Sequence, residues 1–183
     1  HVFENKYIWK DLQKKRKSFD TFLKGRYSSN LEENGIYVTR TFSRRDMVFT
    51  DGKKGTELEV EKSVTAGVDP EIFLKHRVKR HSGAPVALKY AVEFNFLIWD
   101  ALLMQKPKLF KTDGFSLRDK FSGQGIDLNW GKDKKVFTYP VYAVNETEEG
   151  LKKTFQGISI LVTDNIFSGD NEMDITLTLK CEK

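Results

Sequence analysis

A chain of 183 residues with 39 % hydrophobic residues and 14 Phe can bury one sizeable core, and we read it as a single domain. Its net charge of +5 has one source: residues 10–26 hold seven Lys/Arg against two Asp, so the rest of the chain is neutral. A single cysteine, Cys181, excludes an internal disulfide and a Cys-based zinc site, and no apolar run approaches the roughly 18–20 residues that span a membrane.

The first ten residues, HVFENKYIWK, lack an initiator Met and the long apolar region of a signal peptide. With one cysteine, this suits a reducing compartment, and a cytoplasmic location is expected. Residues 1–30 form a basic arm. Within it Ile8, Leu12, Lys15, Phe19 and Phe22 recur at spacings of four and three, which permits a short amphipathic helix. The run Lys14-Lys15-Arg16-Lys17 fits either a nucleic-acid stripe or a solvated face. No nucleic-acid motif accompanies it, so the solvated face is the reading and no nucleic-acid partner is expected.

From SSNLEENG onward the period changes to two, and residues 31–183 are expected to form the β-sandwich. Leu58, Val60 and Val64 alternate with Glu57, Glu59 and Glu61. Ile72, Leu74, His76 and Val78 alternate with Phe73, Lys75, Arg77 and Lys79. Val86, Leu88, Tyr90, Val92, Phe94 and Phe96 mark a long strand whose other face carries Lys89, Glu93 and Asn95. The stretch 99–124, with KPKLF, TDG and FSGQG, reads as a long loop or small hairpin over one end. GIDLNW, KKVFTYPVYAV, LKKTFQGISILV and a last strand through Ile175, Leu177, Leu179 and Cys181 follow. Pro140 cannot donate to a ladder, so an edge or a bulge is expected there. Strands every 12–15 residues with turns between predict an all-β, antiparallel β-sandwich.

No Gly-rich phosphate loop, HExxH or GxSxG is present. His76 lies on an apolar strand face and reads as a satisfied core histidine; His81, in RHSGAP, reads as exposed. A sugar mutarotase needs a His acid and a Glu base at one anomeric centre, and His76 and Glu93 stand on strands expected to be neighbours. The face assignment separates them. Glu93 and Asn95 share a face between large apolar residues, where carboxylate and amide can meet sugar hydroxyls or satisfy a structural contact. Trp9, Trp99 and Trp130 can stack on sugar rings or pack a rim. Glu146, Glu148 and Glu149 stand together in one turn without apolar cover, which reads as a solvated corner rather than a catalytic pair.

That corner also carries a resemblance. Tyr139-Pro140-Val141, Glu148-Glu149-Gly150-Leu151 and Phe155-Gln156-Gly157 together resemble the C-terminal β-sandwich of family 57 glycoside hydrolases, the α-amylases and 4-α-glucanotransferases. VEFNF at 92–96 looks like that domain's long central strand, FSGQGIDL at 121–128 like the segment before its late strands, and KRKSFDTFL at 15–23 like its entry. Tyr142-Ala143 and Asp20-Thr21 depart from the family pattern.

The resemblance implies a supersandwich of the galactose-mutarotase-like superfold. It also implies a chain without the catalytic carboxylates, which in that family lie in an N-terminal barrel opened by His-x-His-Gln-Pro. The function it implies is a non-catalytic module that packs on a catalytic barrel and contacts an α-glucan or maltooligosaccharide. Glu93, Asn95, Gln156 and Trp130 are the expected sugar contacts. No catalytic residue, metal or cofactor is assigned, and no membrane partner is expected. The alternative is a self-sufficient carbohydrate-binding or mutarotase-like protein built on His76, Glu93 and Asn95.

Overall fold

The computed structural model describes residues 2–4, 22, 25–49, 55–83, 87–98, 106–119, 121–148, 150–166 and 171–181. The arm helix expected over 8–22 lies almost wholly outside the described residues, as do Trp9, Trp99, Val86 and Glu149. The strands are β1 Val2–Glu4, β2 Ser28–Asn34, β3 Tyr37–Val48, β4 Thr56–Ala66, β5 Glu71–Ser82, β6 Leu88–Phe96, β7 Lys108–Arg118, β8 Gln124–Thr147, β9 Gly150–Ile166 and β10 Asn171–Cys181. All pairings are antiparallel, in the order β1-β6-β9-β8-β10-β5-β4-β3-β2, with β7 beside β8.

One hydrogen-bonded sheet becomes a sandwich because β8 belongs to both layers. Its first half, to Asn129, pairs with β10; its second, from Lys135, pairs with β9. β7 follows it through both halves. Between Asn129 and Lys134 β8 carries four residues where β7 carries only Asp113. Gly131 takes φ 70° in this bend, a conformation that favours glycine. The Trp130 indole is buried there and donates to the Thr112 carbonyl at 2.7 Å. The long loop or small hairpin expected over 99–124 is therefore corrected: 108–118 is an integral strand paired along β8. Its TDG is absorbed as a bulge, in which Thr112 Oγ1 donates to the Gly114 carbonyl at 2.8 Å.

The main core lies between the layers. Leu58, Val60, Val78, Leu128, Ile175 and Met173 meet Leu88, Tyr90, Val92, Val136, Ile160 and Val162. A second cluster, Ala91, Phe137, Tyr139 and Leu161, occupies the other face of β6-β9-β8. Both faces of β9 are thus buried from Ile158 to Thr163. This is why its sequence reads ISILVT, a continuous run rather than an alternation.

Two further bulges place side chains that periodicity misassigns. Leu58 pairs with Arg80 and Glu57 with Ser82, so His81 is the extra residue on β5. It is half-buried, not exposed as expected, and its Nε2 lies 2.6 Å from Glu59 Oε2. Val141 pairs with Gly157 and Tyr142 with Phe155, so Gln156 is the extra residue on β9. Pro140 stands just before this bulge and past the last β7 pairing, Lys108 with Thr138.

Gly157 at this bulge has φ 141°, and a Cβ there would sit 2.3 Å from the Phe96 carbonyl oxygen. Gly157→Ala must therefore strain the backbone and push β6 from β9. Urea unfolding should show a loss of about 2–3 kcal/mol or more. An unchanged midpoint would show that β9 does not need this close approach.

Candidate functional site

The inner face of β4 reads Leu58, Val60, Lys62, Val64, and that of β5 reads Ile72, Leu74, His76, Val78. Lys62 and His76 are directly opposed in register, so both apolar stripes break at the same level. The facing layer supplies Tyr90, whose phenol oxygen lies 2.7 Å from His76 Nδ1. The Lys62 ammonium stands 4.5 Å from the centre of the Tyr27 ring, and Tyr27 donates its hydroxyl to the Phe22 carbonyl at 2.8 Å. These groups wall a concavity of about 430 Å³ that Glu93 and Asn95 also border. Burial, reinforced by the charge of Lys62, holds the His76 imidazole down at about 4. Burial likewise lowers Lys62 and raises the phenols of Tyr90 and Tyr27.

Glu93 is half-buried and accepts hydrogen bonds from Tyr139 Oη and Ser159 Oγ, each at 2.8 Å. Burial pushes the Tyr139 phenol up to about 12, with the Glu93 carboxylate adding to the rise. Asn95 is exposed two residues along. The His76–Glu93 acid–base pair of the mutarotase-like alternative is not assembled. β5 and β6 are not neighbours, because β9, β8 and β10 separate them in the sheet. They face each other across the core, with Glu93 tied to Tyr139 and Ser159 and His76 to Tyr90.

Trp130 stands elsewhere, on a polar concavity of about 510 Å³ at the β8 bend, with Asn129, Lys132, Asp174 and Thr176 around it. Its indole is 6 % exposed, so it offers an edge and not a stacking face. Gln156 is exposed at the β9 bulge. The four expected sugar contacts thus fall in three places. Only Glu93 and Asn95 are brought together.

Beyond the bulge, β8 and β9 continue as a two-stranded ribbon from Tyr142 to Phe155. One face carries Tyr142, Val144, Glu146, Leu151, Lys153 and Phe155; the other carries Ala143, Asn145, Thr147, Lys152 and Thr154. Tyr142 packs edge-on against Phe155, while Val144 is 56 % and Leu151 77 % exposed. At the tip Thr147 Oγ1 donates to the Gly150 carbonyl, and Glu146 and Glu148 are exposed. Beside the ribbon's root, Leu97 and Ile98 border an apolar groove with Ile126 and Leu179, near the exposed Phe121. Among the described residues no set of three His, Cys, Asp or Glu side chains converges as a metal site. None of the described helices is long and apolar enough to cross a membrane.

Comparison with known proteins gives a consistent picture. The family model for the alpha-amylase/4-alpha-glucanotransferase C-terminal domain matches residues 1–179. A 4-alpha-glucanotransferase of Thermococcus kodakarensis is 26 % identical over 160 residues, 87 % of this chain and 21 % of the relative. The crystal structure of a 4-alpha-glucanotransferase from Thermococcus litoralis superposes with TM-score 0.73 at 18 % identity, over 98 % of this chain and 26 % of that one. The heparan sulfate lyase HepC from Pedobacter heparinus superposes with TM-score 0.52 at 10 % identity, over 86 % of this chain and 22 % of that one. The two structural likenesses show a shared fold. The chain spans about a fifth of the length of the curated relative it matches.

Lys62 and Tyr27 escaped the sequence reading, although the signal was present: two adjacent strands lose their apolar stripe at one level. The half-buried histidine there has a measurable consequence. Its folded pKa of about 4 lies below the ordinary 6.5, so the unfolded chain binds the extra proton between those values. Stability is therefore full above pH 6.5 and falls towards pH 4, by on the order of 3 kcal/mol. Denaturant midpoints across this window should fall with pH, and His76→Gln should remove that part of the slope. An identical slope in the variant would show that other groups carry it.

Proposed function

Because the chain belongs to the alpha-amylase/4-alpha-glucanotransferase C-terminal domain family, we propose that it is the non-catalytic β-sandwich module of an α-glucan-acting enzyme, packing on a catalytic barrel. The observation that carries this reading is the family match over nearly the whole chain, set against relatives about four times as long. The state of the carboxylates supports it. Glu93 is held by two hydroxyls, and Glu146 and Glu148 are exposed at the ribbon tip.

The barrel-facing surface in this reading is the apolar face of the β8–β9 ribbon with the groove at its root. An isolated two-stranded ribbon is marginal in water, and Tyr142, Val144 and Leu151 expose one contiguous apolar face. Domain interfaces of this kind are part apolar and part polar, and Glu146 and Lys153 on the same face fit that mix. The rest of the same polypeptide is the occupant that the length of the relatives favours.

For the glucan, the concavity at the β8 bend offers what sugar hydroxyls need: Asn129, Asp174 and Thr176 as mixed donors and acceptors, with the Trp130 edge beside them. Glu93 is a structural acceptor here, and Glu93→Gln should lower stability by about 1–3 kcal/mol. Gln156 sits on the ribbon side of the module.

The isolated chain should give no disproportionation of maltotriose or hydrolysis of starch above buffer. Turnover at ordinary enzyme rates would overturn the module reading. Joined to its barrel, Val144→Asp with Leu151→Asp should weaken domain association at least about tenfold, since each buries an unpaired charge. Unchanged association would move the interface elsewhere. Maltohexaose should alter tryptophan fluorescence, and Asp174→Ala should weaken that response about three- to tenfold. Equal responses in both proteins would remove glucan contact from this concavity.

A further inference from the structure

The Lys62–His76 cavity belongs neither to the ribbon interface nor to the Trp130 concavity, and its chemistry is lopsided. A core stripe position on β4 holds an ammonium, and the residue across from it on β5 is an imidazole. Lys62 makes no hydrogen bond or ion pair with any described residue; its one close partner is the Tyr27 ring. Four other polar groups face it. Tyr27 Oη is spent on the Phe22 carbonyl, and Tyr90 Oη is paired with His76. The Glu93 carboxylate accepts from Tyr139 and Ser159, both on Oε1. Asn95 adds an amide at the border.

Lys62 is thus left without a hydrogen-bonded or ion-paired partner among the described residues, in a concavity of about 430 Å³ that is large enough for a monosaccharide. An ammonium so placed is costly to desolvate without a counter-charge, whereas Met or Leu would continue the stripe of Leu58 and Val60. A lysine at such a position points to a negatively charged complement.

We propose that this cavity binds a small oxyanion carried on a monosaccharide-sized molecule, with Lys62 as the charged donor and the Tyr27 and His76 rings as walls. The inference rests on side-chain placement alone and is independent of whether the module packs on a barrel. It differs from the glucan site in ligand charge, so the two fail separately. An anion beside Lys62 also cancels the repulsion that helps keep His76 neutral. The imidazole thus reports occupancy.

The test follows the His76 ring signals by NMR in the 183-residue chain, which has only three histidines. Inorganic phosphate, a hexose phosphate and glucose are titrated in turn. Phosphate and hexose phosphate should move the His76 signals and raise its apparent pKa by about one unit, while glucose leaves both unchanged. Lys62→Met should weaken the response at least about tenfold without lowering the melting temperature, and Lys62→Arg should keep most of it. Lys62→Gln serves as a second neutral variant if Met disturbs the packing. Signals unmoved by both phosphates would overturn the proposal. So would equal shifts in the neutral variants, or glucose binding as tightly as the hexose phosphate.

Discussion

Pairing of β7 with both halves of β8 is the interaction on which the rest of the molecule depends. A flat antiparallel sheet of this length would leave one hydrophobic face in water. Here the hairpin bends at Asp113 on one strand and at residues 130–133 on the other, so the same sheet closes on itself. The Trp130 indole holds the bend by its bond to Thr112. Everything described above is placed by that bend. It sets β4 and β5 against β6 across the core, so Lys62 and His76 meet Tyr90. It also creates the polar concavity around Trp130 and sends the far end of β8 past its neighbours as the ribbon.

Two kinds of surface result, and they are opposite in character. The ribbon and the groove at its root expose apolar side chains that gain by burial against another protein surface. The inner cavity buries cationic and aromatic groups that gain nothing from an apolar partner. One is suited to packing and the other to a polar ligand. A module that only filled space beside a catalytic domain would need the first and would have no use for the second. A polar break in a core stripe fits a position used for binding better than one used for packing.

Most of the fold was legible because one face of most strands is buried and the period-two signal is clean. The β4, β5 and β6 stripes came out with the correct inner faces. β9 did not alternate because both of its faces are buried, and β7 was hidden because its TDG reads as a turn when it is a bulge. Bulges also moved His81 and Gln156 off their periodic faces, which no alternation rule can anticipate. The site was less legible. Glu93 and Asn95 were correctly placed on one face, but the register that sets Lys62 across from His76 depends on strand pairing between distant residues. Trp130 looked like a stacking platform because its role as the wedge of the bend is visible only once β7 is known to be a strand.

Amide hydrogen exchange of this chain, alone and with a separately expressed catalytic barrel of the same enzyme, tests the module account most directly. The account predicts added protection in the ribbon from Tyr142 to Phe155 and around Leu97 and Leu179, with the β2–β3 hairpin unchanged. Exchange that stays the same throughout the ribbon when the barrel is present would contradict it.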